Sequence, residues 1–281
     1  MSVARRLLAY GALLAGTVVS ASAAGAWIGP IPHVAEAPTP IGDGVVTAVQ
    51  RYRLVPETTI LAPAGGTFRF VVEGRDGRPV RSFHLVHEMR LHLVVVNREL
   101  TEFHHVHPNL GADGRWSIDL PSIPPGSYRA IADFWIDRGP RLALGVNLSI
   151  AGAYQPQVLP SPSTTSTVDG YEVSVHTVAD NRGEVAFALT VRLDGALVTD
   201  LQPYLGAAGH LIGIHAGDLA YAHPNDYEHG TVTFDAELPS EGRYGLFFDS
   251  STTTWCAPLR SRSIRASSVA TRRWRTRSNP S

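Results

Sequence analysis

A histidine at the head of an apolar run, followed by a second apolar run that closes on His-Pro, occurs twice in this chain. The first copy reads Met89-Arg-Leu-His-Leu-Val-Val-Val and then Phe103-His-His-Val-His-Pro. The second, about 118 residues later, reads Gly209-His-Leu-Ile-Gly-Ile and then Leu219-Ala-Tyr-Ala-His-Pro. A pattern that recurs with its internal order kept implies one structural unit used twice. Six of the 12 histidines (His84, His87, His92, His104, His105 and His107) fall within 24 residues around the first copy. Clustered imidazoles are also what a metal site requires.

At 281 residues the chain has room for two domains of roughly 100 residues each. Apolar content of 44%, with 26 Gly and 20 Pro, suits a globular β-type protein rich in turns. Short β-prone runs fall at 52–56, 67–73, 84–86, 91–96, 103–107, 116–120, 128–135 and 142–150, separated by turn signals such as Gly65-Gly66 and Pro124-Pro-Gly126. A second series falls at 171–178, 185–193, 210–214, 219–223, 231–234 and 244–248, and no amphipathic helix intervenes. The expected fold class is therefore all-β, two tandem Ig-like or cupredoxin-like β-sandwiches. They are expected at 45–152 and 168–249, joined by a Pro/Ser/Thr linker at 153–167.

The chain ends carry separate signals. Arg5-Arg6 precedes an apolar, small-residue run over 7–28, readable as a cleaved export signal or as a retained membrane anchor. Either places the body outside the cytoplasm, behind a Pro-rich tether at 29–44. All 24 basic residues are Arg, and seven of them lie after Ser250, where no acidic residue occurs. Residues 1–249 then carry a net charge of −8, against −1 for the whole. Gly242-Arg-Tyr-Gly-Leu-Phe-Phe-Asp249 parallels Gly126-Ser-Tyr-Arg-Ala-Ile-Ala-Asp133, but only the first repeat continues into Phe134 and a further apolar strand. For one permitted choice of codons, one added nucleotide before Ser250 would restore both, so 250–281, with the single cysteine Cys256, is expected to be out of frame and disordered, leaving an open sheet edge. One cysteine also excludes an internal disulfide.

The hairpin registers select the site residues. Pairing Val96 with Phe103 sets Val94 against His105 and His92 against His107. In the second repeat a four-residue turn at 215–218 pairs Ile214 with Leu219 and sets His210 against His223. Opposed residues have Cβ atoms about 4.5–5.5 Å apart, near enough for two imidazoles to share an ion. His92, His105 and His107 form the candidate metal face of the first domain, with His84, His87, Glu88 and Met89 as further donors upstream. His210 and His223 form a weaker pair, since Tyr221 replaces the third histidine. His176, His215 and His229 read as solvated, and His33 belongs to the tether. Imidazole donors suit copper or zinc, and the lack of a cysteine in the body excludes a blue-copper centre. The alternative is a metal-free core pair, each ring bonded to backbone or to its neighbour.

No Gly-x-Ser-x-Gly elbow, His-Glu-x-x-His or phosphate loop is present, and no general base accompanies the histidines, so an enzyme is not expected. A net-acidic body disfavours nucleic acid. The segments Met89-x-Leu-His-Leu-Val-Val-Val, Leu100-Thr-Glu-Phe-His-His-Val-His-Pro108, Tyr204-Leu-Gly-Ala-Ala-Gly-His-Leu and Gly217-Asp-Leu-Ala-Tyr-Ala-His-Pro224 resemble an uncharacterised family of secreted or membrane-anchored bacterial proteins with duplicated His-rich β-sandwiches, described as heavy-metal-associated. The resemblance spans roughly 45–249 and implies the duplicated sandwich and export, without an activity or ligand set. The second repeat departs from it by being two residues short before His223-Pro224, and the chain departs again after Asp249. The reading is an exported, non-catalytic protein that binds Cu(II) or Zn(II) through its first domain; the alternative is a metal-free structural or protein-interaction module of the cell envelope.

Overall fold

Burial alternates along Gly66–Glu73, where Phe68, Phe70 and Val72 are buried while Thr67, Arg69 and Val71 are not. That is the signature of a strand with one face on a core. The computed structural model describes residues 37–179, 184–199, 201–202, 209–226, 232–252 and 262–267. The chain divides into two compact units, Met1–Pro38 and Thr39–Ser281, and both repeats lie in the second. The export segment, the start of the tether, His33, His229 and Cys256 lie outside the described residues. Among the described residues no helix occurs.

The expected all-β class holds, as two sandwiches. In the first repeat one sheet runs in the order Ala48–Val49, Tyr52–Pro56, Gly66–Glu73, Arg115–Leu120, Asn109–Leu110. The other runs Ile60–Leu61, Arg141–Ile150, Gly126–Ile136, Leu91–Asn97, Phe103–Val106, with Phe83–His84 also against Gly126–Ile136. The second repeat has one sheet of Thr165–Val168, Tyr171–Ala179, Glu184–Leu193, Val232–Glu237 and Asn225–Asp226, with Ala196–Leu197 on Glu184–Leu193. Its other sheet runs Leu201–Gln202, Tyr244–Thr252, His210–His215, Tyr221–Ala222. Trp116, Phe70, Phe83 and Phe134 pack edge-on and stacked in the first core. Phe187, Phe234 and Phe248 anchor the second.

Leu91–Asn97 breaks the alternation, because all seven of its residues are buried. Leu91, Leu93 and Val95 enter the first sandwich core, whereas Val94 and Val96 enter a third cluster with Ile131, Ala143, Ile212, Ile214, Tyr221 and Phe247. The same division holds for His210–His215, where Leu211 faces its own core and Ile212 and Ile214 face the other repeat. Strands that read as unbroken apolar runs are covered on both faces. The two sandwiches thus pack sheet to sheet, with the Phe103 and Phe247 rings stacked 3.9 Å apart between centroids.

The first hairpin takes the expected register, with Val96 against Phe103 and Val94 against His105. The second does not. Ile214 pairs with Tyr221 and Gly213 with Ala222, a shift of two residues from the Ile214–Leu219 pairing. The His215 N–H donates to the Ala220 carbonyl and the Leu219 N–H to the His215 carbonyl, so the loop is Ala216–Gly217–Asp218–Leu219. Leu219 turns it at φ 63°, and Asp218 holds it by accepting from the Ala220 N–H and the His215 ring. Continued, this register sets Ile212, not His210, beside His223. His223 is therefore the counterpart of His105 rather than of His107.

Two further expectations change. The tether does not run free to Gly44, because Ile41 and Gly44 bond to the backbone of Arg141 and Ala143, and the Asp43 carbonyl accepts from the Tyr221 N–H. The sheet edge expected to be open after Asp249 is paired: Arg262–Ser267 lies against Tyr244–Thr252, where the first repeat places Arg141–Ile150. Edge pairing uses backbone groups alone, so the loss of the apolar pattern did not prevent it.

Gly145 is where residues 41–46, laid over the sheet as a strap, cross it. Its N–H donates to the Val46 carbonyl, and Arg129 bonds to the carbonyls of Gly44 and Gly145. A methyl at position 145 would run into the Gly44 carbonyl oxygen. Gly145→Ala is expected to cost about 1–3 kcal/mol through this overpacking, read as a lowered urea midpoint; an unchanged midpoint would mean the strap is not seated there.

Candidate metal centre

Alternation puts His92 on the same face as Val94 and Val96, and His105 and His107 on the same face as Phe103. That face looks at the other repeat. A two-residue turn supplies another imidazole. The Val86 and Met89 backbones bond to each other in both directions, and His87 and Glu88 between them take φ values of 46° and 63°. Positive φ at both central positions is the type I′ hairpin turn, normally given to Asn and Gly. His tolerates it better than most residues. His87 is thereby turned toward the cluster, 4.6 Å from His210 and 5.4 Å from His223 between ring centroids.

Six imidazoles meet here, in two groups of three. Donor nitrogens of His92, His105 and His107 lie within 4.8 Å of one another, as do those of His87, His210 and His223. The first group is the expected first-domain set. The second joins His87 of the first repeat to the pair expected to stand alone in the second. Glu88 is exposed on the turn and Met89 half-buried beside it; neither belongs to a group. His84 is exposed, beside Asp137 and the Trp135 ring. His104 points to the other face, where its Nε2 is buried without a partner among the described residues. His176 is exposed, as expected, whereas His215 closes a strand and bonds to Asp218.

The contacts around the first group fix its tautomers. His92 Nε2–H donates to the Val86 carbonyl at 2.9 Å. His105 Nδ1–H donates to the Asp249 carboxylate at 2.9 Å. With both rings neutral, the remaining nitrogens, His92 Nδ1 and His105 Nε2, carry lone pairs and face each other at 3.0 Å. His107 Nε2 lies 3.2 Å from His92 Nδ1. Metal-bound histidines are oriented in this way, by a carbonyl or carboxylate on the second ring nitrogen. Tetrahedral ligands at about 2.0–2.1 Å from an ion stand about 3.3 Å from each other, close to these separations.

The second group has a parallel frame. His223 Nδ1–H donates to Asp133 Oδ2 at 3.1 Å. That carboxylate also accepts from Arg141 at 2.9 and 2.7 Å and from the Tyr221 hydroxyl at 3.0 Å. Arg141 approaches His223 Nδ1 to 3.2 Å because both N–H groups aim at one oxygen. Along the strands, Asp133 pairs with His92 and Asp249 with His210. Across the interface the partners are exchanged: Asp133 holds His223 and Asp249 holds His105. Each repeat's carboxylate orients the other repeat's imidazole.

Burial sets the charge state. It pushes His92 well below the usual imidazole range, with the His105, His223 and His107 rings adding to the effect. His210 is driven down by burial and then by its neighbouring imidazoles. His107 and His223 are both lowered to about 4, chiefly by burial. Burial would raise Asp133, but Arg141 and the His223 bond outweigh it and hold the carboxyl far below its ordinary value. The Tyr221 hydroxyl is raised, first by burial and then by Asp133. Burial thus favours the neutral form of the His92, His107, His210 and His223 rings, beside the ionised Asp133 carboxylate.

Sequence reasoning did not find Asp133, Asp249 and Arg141. The signal was present, since an acidic residue stands alone in each of two apolar strands, at matching positions of the repeats. Such residues are seldom buried unless paired.

A family model described as a domain of unknown function (DUF8832) matches twice, over residues 47–153 and 166–255. Among solved structures the chain is similar to the BSP domain of a biofilm associated protein, at 12% identity and a TM-score of 0.22, over 77% of this chain and 30% of that one. It is also similar to domains 5-6 of the S-layer protein SbsC, at 10% identity and a TM-score of 0.22, over 76% and 95% of the two chains. A third is the N-terminal Ig1-2 module of the Drosophila receptor protein tyrosine phosphatase DLAR, at 9% identity and a TM-score of 0.22, over 78% and 96%. The chain spans less than a third of the biofilm protein structure. No curated protein matches.

Proposed function

The chain belongs through both repeats to the DUF8832 family, a domain of unknown function, and we propose from the site itself that this is an exported, non-catalytic protein that binds Cu(II) or Zn(II) through His92, His105 and His107. The observation that carries the reading is the 3.0 Å approach of His92 Nδ1 to His105 Nε2. Both opposite nitrogens are committed as donors, so two lone pairs face each other unless a cation lies between them. A proton on His92 would have to charge its ring in a place where burial and neighbouring imidazoles disfavour it. A divalent ion has no such difficulty, and imidazole suits copper and zinc. Asp133 and Asp249 are occupied in orienting histidines, which argues against a general base and hence against hydrolytic chemistry. The apolar run at 7–28 supports an address outside the cytoplasm, by cleaved signal or by anchor.

The metal-free envelope module is supported by the third apolar cluster, which joins the sandwiches without any ion. Calorimetric titration of the full chain with Cu(II) and Zn(II) separates the two. The expected result is saturable binding that weakens at least tenfold in a His92→Ala/His107→Ala variant. No binding would favour the metal-free module, and equal binding by both proteins would take the ion away from the first triad.

A further inference from the structure

We propose that the second triad, His87, His210 and His223, takes a second divalent ion beside the first, so that the two repeats close on a dinuclear, all-imidazole centre. This rests on the reading of the first triad as a metal site and extends it across the interface.

Four observations carry the proposal. The donor nitrogens of His87, His210 and His223 all lie within 4.8 Å of one another, a bound the first triad also meets. The two triads adjoin, with the His92 ring 6.1, 5.9 and 5.7 Å from those of His87, His210 and His223. The orienting frame is duplicated as well, since His223 is held by Asp133 as His105 is held by Asp249. A carboxylate on Nδ1 leaves Nε2 as the ligating nitrogen in each. Finally, His87 reaches the cluster only because His87 and Glu88 both adopt positive φ. Non-glycine residues held in that region cluster at functional sites, where surrounding structure over-determines them.

The repeats contribute unequally in a way that fits. His92 corresponds to His210 and His105 to His223, but His107 has no histidine counterpart in the second repeat. Its place in the second triad is filled by His87, from a turn of the first repeat. The second ion therefore draws ligands from both repeats, where the first draws them from one. Access is also provided. A cavity of about 710 Å³, lined by Asp43, Glu184, Asp235 and Glu237, reaches Tyr221 and His223. Carboxylates around a cleft raise the local concentration of cations.

The test is stoichiometry and spin coupling with Cu(II) alone as the probe. The full chain is loaded with excess Cu(II), desalted, and its copper counted by elemental analysis, with electron paramagnetic resonance on the same sample. The comparison variant is His87→Asn, because Asn tolerates the type I′ turn; circular dichroism of both proteins checks the fold. The expected result is two ions per wild-type chain with a dipole-coupled, partly quenched signal. His87→Asn is expected to hold one ion with an uncoupled signal. One ion in the wild type, or two coupled ions in both proteins, overturns the second site and leaves the first standing. No ion in either overturns both.

Discussion

Asp133→Asn is expected to destabilise the protein by about 3–5 kcal/mol, the usual cost of removing one member of a buried ion pair. Asn keeps the size of the side chain, so no cavity contributes. What changes is charge: Arg141, only 3% exposed, loses the carboxylate that meets it at 2.9 and 2.7 Å. The same change weakens the acceptor for the Tyr221 hydroxyl and the His223 ring, both on the second repeat. The loss should be read in urea midpoints and in a Tm lowered by on the order of 10 °C for a unit of this size. Asp119→Asn, which alters an exposed bond to Thr67, is the control and should move stability by less than about 0.5 kcal/mol. Removing both charges together, as Asp133→Leu/Arg141→Met, should recover part of the loss, since apolar replacements of buried pairs are often tolerated. If Asp133→Asn unfolds at the parent midpoint, Asp133 and Arg141 are not a buried pair and the frame around His223 is wrong.

The duplication, the all-β class and the first hairpin were legible because each rests on local rules. The 97–102 loop is closed by Asn97, whose side chain accepts from the Thr101 and Glu102 N–H groups. An Asn at a strand end is a turn signal that the sequence displays. The second hairpin slipped by two because its loop is Ala216–Gly217–Asp218–Leu219, with no Asn at the strand end to mark where it opens; a leucine at positive φ is common to both loops, Leu100 in the first and Leu219 in the second. That slip mattered, since it hid the equivalence of His105 and His223. The site was half legible for a different reason. Strand alternation shows that His92, His105 and His107 share a face, but not that another sheet covers it. Only the sheet-to-sheet packing brings Asp249 to His105 and Asp133 to His223. The bond from His92 to the Val86 carbonyl is also one that a plain core pair would make; the facing nitrogens of His92 and His105 are what set the two readings apart.

Saturating Cu(II) should raise the Tm of the full chain by on the order of 10 °C, with Zn(II) giving a smaller rise and EDTA reversing both. A ligand that binds only the folded state at a free concentration about 1,000 times its Kd adds about 4 kcal/mol. For a unit of this size each kcal/mol moves Tm by about 2–4 °C. The unfolded chain keeps its 12 histidines and binds some metal itself, which reduces the gain. Copper should exceed zinc because imidazole affinities follow that order among divalent ions. Mg(II) should have no effect, because it demands oxygen ligands and the triads offer none. The His92→Ala/His107→Ala variant removes two of three ligands from the first triad and should lose the part of the copper-induced rise that this triad supplies. A rise of equal size in parent and variant would place the binding elsewhere, on the second triad or on exposed histidines such as His84 and His176, and would end the claim that the first triad holds an ion.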